Sequence, residues 1–179
     1  MTNRKKLVTE MGRIDRDAFA QSQKLPLVVV LDNVRSLHNV GSVFRTSDAF
    51  RVECIMLCGI TATPPSAEIH KTALGAEDVV DWKYYESTMD AVAELLSQGY
   101  RVYSIELCQG SIALQDFATA PGERYAVVLG NEVKGVQQDV VDASDGAIEI
   151  PQFGTKHSLN VSVTAGMVIW EFAKKLGLV

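Results

Sequence analysis

The chain has 179 residues, 47% of them hydrophobic and 22% charged, with a formal net charge of −5. That length suits one domain with a short appendage, and the balance is that of a soluble globular protein, well away from disordered composition. The negative charge excludes a surface that binds polyanions generically, because such affinity comes from dense Lys and Arg, so any RNA site must be a local basic patch.

Residues 3–24 read as a polar helix with Leu7, Met11, Ile14 and Phe19 near helical spacing, closed by Pro26. We take residues 1–24 as an N-terminal helical extension and 25–179 as the main domain. LVVVL at 27–31 is a continuous apolar, β-branched run, the pattern of a strand covered on both faces in a parallel sheet. Similar runs recur at 54–59, 79–85, 101–107, 125–130 and 147–150. Helices are predicted between them: one opening at Asn39, one from Ser66 to Leu74 before Gly75, and one framed by Ser87, Asp90 and Gly99. A short helix follows Gly135, and the last runs from Ser158 to Leu176. Strands alternating with helices predict an α/β domain with a mainly parallel sheet flanked by helices.

Cys54, Cys58 and Cys108 form no CxxC pair and read as reduced core residues. The N-terminus has no apolar signal region, and no run reaches the ~18 apolar residues of a membrane span. A cytoplasmic protein with no membrane partner is the expectation.

Ligands of parallel sheets bind beyond the carboxyl ends of the strands. Three unusual segments fall at such ends: LHNVGSVFRTSDAF at 37–50, LGNEVKGV at 129–136 and IPQFGTKHSLNVS at 150–162. Each has a bland reading. Asn39 can cap a helix, Gly41, Gly130 and Gly135 can serve close approaches and turns, and Ser158 and Asn160 can open the last helix. The Gly130 to Gly135 spacing is that of a P-loop, but Val136 and Gln137 occupy the positions where Lys and Ser or Thr would bind phosphate and magnesium. No GxGxxG follows any strand, which disfavours a nucleotide-dependent oxidoreductase.

In this order the three segments resemble the SpoU/TrmH branch of the SPOUT methyltransferases. N-x-G-x-x-x-R matches Asn39, Gly41 and Arg45; G-N-E-x-x-G matches Gly130, Asn131, Glu132 and Gly135; the third motif matches IPQFGTKHSLNVSV. Gln152 and Val133 depart from residues common in the family, Met and Gly, and alter pocket lining more than chemistry. The resemblance implies methyl transfer from S-adenosylmethionine to a ribose 2'-hydroxyl of tRNA or rRNA, tRNA favoured, with no metal, on a fold whose C-terminal part forms a deep trefoil knot. It places the donor against Ile105, Leu129, Gly130, Asn131, Gly135, Ile150, Ser158 and Leu159. It makes Arg45, Asn39, Ser158, Asn160 and Glu132 the catalytic set, with Arg45 as a fork onto phosphate and developing oxyanion, Asn39 holding Arg45 or the ribose, and Glu132 either a brace or a direct participant.

RNA capture falls to Arg35, Arg45, Lys134, Lys156 and His157, which cluster at one sheet edge if the fold is right. Trp82, Tyr84 and Tyr85 read as packing residues before base-stacking ones, and Arg4, Lys5 and Lys6 as a solvated helix face. The last helix is apolar around much of its circumference, with Gly166 permitting close contact, and the resemblance assigns it to a homodimer. The alternative from another class is a noncatalytic RNA-binding protein retaining the fold.

Overall fold

The run Leu25–Asp32 (β1) has no polar side chain before its last residue. The computed structural model, which describes residues 3–156 and 158–179, buries it inside a seven-stranded sheet. Beside it lie Val52–Cys58 (β2), Trp82–Tyr85 (β3), Tyr100–Ile105 (β4), Ile112–Ala113 (β5), Arg124–Leu129 (β6) and Gly146–Glu149 (β7), in the order β3-β2-β1-β6-β4-β7-β5. All pairings between these strands are parallel. Strand β6 inserts between β1 and β4, in a register that sets Leu31 opposite Leu129 and Ile105 opposite Leu129 from the other side. The chain ends of β1, β6, β4 and β7 therefore emerge side by side at one edge.

The six α-helices among the described residues are Arg16–Gln21 (α1), Leu37–Ala49 (α2), Ala67–Ala73 (α3), Thr88–Ser97 (α4), Gln138–Ala143 (α5) and Val161–Lys175 (α6). The alternation of β1 assigns them to two faces. Leu27, Val29 and Leu31 pack with Val43 and Phe44 of α2, Ile69 of α3 and Ile169 and Phe172 of α6. Val28 and Val30 pack with Val92 and Leu95 of α4 and Val140 of α5. A strand buried on both sides needs the unbroken apolar run that β1 has.

Several elements differ from expectation. A continuous helix over 3–24 does not form: a 3-10 turn spans Val8–Glu10, Gly12 adopts φ +60, and α1 starts afresh where the Asp15 carboxylate accepts from Ala18 N. Of the four apolar residues that suggested it, only Phe19 reaches the core; Leu7, Met11 and Ile14 are exposed. Lys24 lies over the Phe19 ring and completes that docking. Strand β3 begins at Trp82, because Ala76–Asp78 is a 3-10 turn that spends the preceding residues on a bend. The two-residue β5 has no counterpart in the sequence pattern, being too short to show alternation.

Candidate active site

Helix α2 is capped by Ser36, whose Oγ accepts from Asn39 N at 3.3 Å, so Asn39 is not the cap but lies one turn inside. Helix α6 likewise begins at Val161, three residues later than expected, with Asn160 as its cap: Asn160 Oδ1 accepts from Ser162 N at 2.9 Å and Val163 N at 3.3 Å. Both asparagines therefore sit at the starts of helices with amide atoms left to spend on each other. Asn160 Nδ2 donates to Asn39 Oδ1 at 3.2 Å, and Asn39 Nδ2 donates to Glu132 Oε1 at 3.2 Å.

Glu132 closes the arrangement. Its Oε1 also accepts from Ser36 N at 3.1 Å, and its Oε2 accepts from Arg35 N at 3.0 Å. Burial pushes the carboxyl upward in pKa, but the backbone hydrogen bonds from Arg35 and Ser36 and the Asn39 amide outweigh it and hold the group below the ordinary carboxylate range. The three segments singled out in the sequence thus meet, joined through Asn39, Glu132 and Asn160.

The loop that carries Glu132 is itself tightly folded. Asn131 and Gly135 exchange both backbone hydrogen bonds, while Asn131 Oδ1 accepts from Val133 N and Lys134 N. Asn131 Nδ2 donates to the carbonyl of Asn33 at 2.7 Å. Gly135 has φ +69, and a Cβ there would run into the Glu106 carboxylate; a Cβ on Gly130 would overlap the backbone of Gly135 and Val136. These glycines serve the loop's own closure. Gly41 is different again: a Cβ there would collide with Thr72 and Ile69 of α3, so it permits helix packing and not approach to a ligand.

Between this loop, the end of β4 and the segment after β7 lies a cavity of about 490 Å³. Ile105, Leu129, Ile148, Ile150 and Leu159 supply aliphatic walls, and Asn131, Ser158 and Lys134 supply polar groups. Every residue expected to hold the donor, namely Ile105, Leu129, Gly130, Asn131, Gly135, Ile150, Ser158 and Leu159, lines it. Volume and lining fit a nucleoside-sized ligand with an apolar base and polar substituents.

Arg45 does not line the cavity. It is exposed on α2, six residues beyond Asn39 and so about 120° around the helix axis from it. The Asn39 amide, expected to hold Arg45 or the ribose, bonds here to Glu132, Asn160 and Ser162 and makes no hydrogen bond to Arg45. Of the proposed RNA contacts, Arg35 and Lys134 come together through the Glu132 loop, and Lys156 is exposed on the segment after β7. His157 lies outside the described residues. Tyr84 and Tyr85 donate to Gly59 O and Glu94 on the far edge strand, away from the cavity.

Two carboxylates went unrecognised in the sequence. Asp32, fully buried at the end of β1, accepts from Thr88 Oγ1, from Gln137 N and from Gln137 Nε2. Glu106, on the cavity wall, accepts from Val136 N at 3.1 Å. The strand alternation could have placed both at strand ends, but nothing in their spacing announces backbone acceptors. Burial pushes the thiols of Cys54 and Cys58 up to about 11 and about 12, so both remain protonated.

Residues 26–170 match the SpoU rRNA Methylase family, and the chain belongs to it. It is 31% identical over 160 residues to an Aquifex aeolicus tRNA (guanosine(18)-2'-O)-methyltransferase, covering 87% of this chain and 72% of that protein. It is 30% identical over 155 residues to a 23S rRNA (guanosine-2'-O-)-methyltransferase of Neisseria meningitidis, covering 87% and 61%. Among solved structures, an AdoMet-bound rRNA methyltransferase from Sinorhizobium meliloti superposes with a TM-score of 0.78 at 26% identity, over 89% of this chain and 59% of that one. The chain thus spans well under the full length of these relatives. No helix among the described residues is long and apolar enough to cross a membrane.

Proposed function

We propose that the protein is an S-adenosylmethionine-dependent methyltransferase that modifies a ribose 2'-hydroxyl of tRNA or rRNA. The observation that carries this is the junction of the three motif segments through Asn39, Glu132 and Asn160 beside a cavity of matching size. Relatives acting on the guanosine ribose of tRNA and of rRNA support the reaction and leave the RNA open. When bound in the cavity, S-adenosylmethionine supplies an electrophilic methyl group.

The chain supplies position and charge. Ile105, Leu129, Ile150 and Leu159 clasp an apolar base and exclude water from it. Asn39, Glu132 and Asn160 are positioning residues: their polar atoms are spent on one another, which fixes the starts of α2 and α6 against the loop. Ser158, exposed on the cavity wall, is free to orient the acceptor hydroxyl. Arg45 works from the RNA side as a planar fork on phosphate and on the negative charge that grows on the attacking oxygen, with Arg35, Lys134 and Lys156 completing the local basic patch. Much of the rate comes from holding the reacting atoms in line.

Two further parts belong to this reading. Residues 1–24 form an extension that docks through Phe19, and 25–179 form the catalytic domain, its C-terminal part knotted. The protein is a homodimer through the exposed stripe of Val163, Met167 and Trp170 on α6, 49%, 43% and 46% accessible, with Gly166 at its centre. The test is methylation of RNA from cells lacking the enzyme, followed by nuclease digestion and mass spectrometry. A 2'-O-methylated nucleotide is expected; failure of a single 2'-deoxy substitution at the target to block transfer would overturn the assignment.

A further inference from the structure

Glu106 lines the cavity, and its hydrogen bonds among the described residues account for half of its acceptor capacity. Its Oε2 accepts from Val136 N at 3.1 Å and its Oε1 from Leu107 N at 2.9 Å. A carboxylate offers about four acceptor sites, two on each oxygen. One on each oxygen is unaccounted for among the described residues, and the group lies on the wall of the cavity. Glu132, the other carboxylate on that wall, already accepts three hydrogen bonds and faces the start of α2.

The backbone is arranged around Glu106. It follows Ile105, an aliphatic wall residue at the end of β4, and it sits where a Cβ on Gly135 would be. The carboxylate is thus wedged against the loop at Gly135, held by the amide of Val136 in that loop and by that of its own neighbour Leu107, so its direction is set before any ligand arrives. A fixed pair of oxygens with one free lone pair each matches two adjacent hydroxyls that donate in parallel. Of the other polar side chains of the wall, Asn131, Gln138, Gln152, Ser158 and Thr164 each combine donor and acceptor atoms and Lys134 only donates, so none offers such a pair.

We propose that Glu106 is the specificity residue for the methyl donor, reading the cis-diol of its ribose by one hydrogen bond to each oxygen. This rests on the assignment of the cavity to S-adenosylmethionine. It adds a selection for ribosyl over deoxyribosyl ligands, because an analogue lacking one hydroxyl leaves a desolvated carboxylate oxygen short of a partner.

The test is calorimetric binding of S-adenosylhomocysteine and of its 2'-deoxy and 3'-deoxy analogues to the full chain, wild type and Glu106→Gln. The wild type should bind each deoxy analogue about tenfold or more weaker than the parent, as expected for a hydrogen bond to a charged group. Glu106→Gln keeps an acceptor for Val136 N but loses the paired oxygens, so the parent should weaken while discrimination falls toward unity. A role confined to bracing the loop would weaken parent and analogues by the same factor, leaving the ratio intact, and would overturn the proposal. Equal binding of all three ligands by the wild type would overturn it as well, without recourse to any variant. Wild type that binds S-adenosylhomocysteine but ignores the missing hydroxyls refutes Glu106 alone; wild type that binds none of them refutes the donor site itself.

Discussion

Replacing Glu132 by Ala removes three hydrogen bonds at once: two from the amides of Arg35 and Ser36 and one from the Asn39 side chain. The carboxylate is only partly buried and the Arg35 residue is exposed, so each bond is worth less than the ~1.5–3 kcal/mol of a hydrogen bond to a charged group, about 1 kcal/mol. The sum is roughly 2–3 kcal/mol, or about 5–10 °C in Tm for a chain of this size. Glu132→Gln should recover no more than about half of that. One oxygen survives, but the other becomes an NH₂ group facing a backbone N–H, and two donors cannot satisfy each other. Urea unfolding at constant m-value measures both losses. A cycle with Asn39→Ala should show coupling of about 0.5–1 kcal/mol, because the two side chains share a bond. A loss below about 0.5 kcal/mol for Glu132→Ala, or a Gln variant as stable as wild type, would refute the view that this carboxylate joins the loop to α2.

Glu132 also sets a pH dependence: its folded carboxyl lies below the unfolded value, so its contribution is complete above the ordinary carboxylate range and lost as pH falls through the folded value. Chemical denaturation between about pH 6 and 3 should therefore show a shallower decline for Glu132→Gln than for wild type. Gly135→Ala, forced against φ +69 and the Glu106 carboxylate, should cost more than about 2 kcal/mol and weaken donor binding, whereas Gly154→Ala, with open space around it, should change stability by less than about 0.5 kcal/mol. Arg45→Ala and Arg45→Lys should both abolish turnover and leave S-adenosylhomocysteine binding within about twofold of wild type, since Arg45 is off the cavity wall and a point charge cannot replace a fork; near-normal activity of the lysine variant would refute this. Met167→Glu places a charge in the exposed α6 stripe and should give a folded monomer by light scattering at micromolar concentration.

How much of this was legible depended on whether a residue's role leaves a period in the sequence. β1, β2 and β6 were found because burial on both faces requires continuous apolar runs, and α3 and α4 because Ser66 and Ser87 cap them. The N-terminal helix failed because four apolar residues at helical spacing imply a helix only if a surface receives them, and the fold offers a place to Phe19 alone. The cavity-lining residues were legible through family motifs, but the work each does was not. Asn39, read as a cap, is a joint between two loops, and Gly41, read as allowing close backbone approach, makes that approach between helices.

The carboxylates show where such reading stops. Glu132, Glu106 and Asp32 each accept backbone amides far away in sequence: Glu132 those of residues 35 and 36, Glu106 that of Val136, and Asp32 that of Gln137. An acceptor of this kind needs no particular residue opposite it, because any non-proline position presents the same N–H. No pairing of residue types can betray it. The loop 130–137 is held from three sides by negative groups whose partners are neutral dipoles, so it gathers negative charge beside a cavity without consuming the basic residues near it. Arg35 contributes its backbone to Glu132 and Lys134 contributes its backbone to Asn131, and neither side-chain charge is paired with a carboxylate among the described residues. A chain of net charge −5 can in this way brace its loop with carboxylates and still present cations to a polyanion at the same edge.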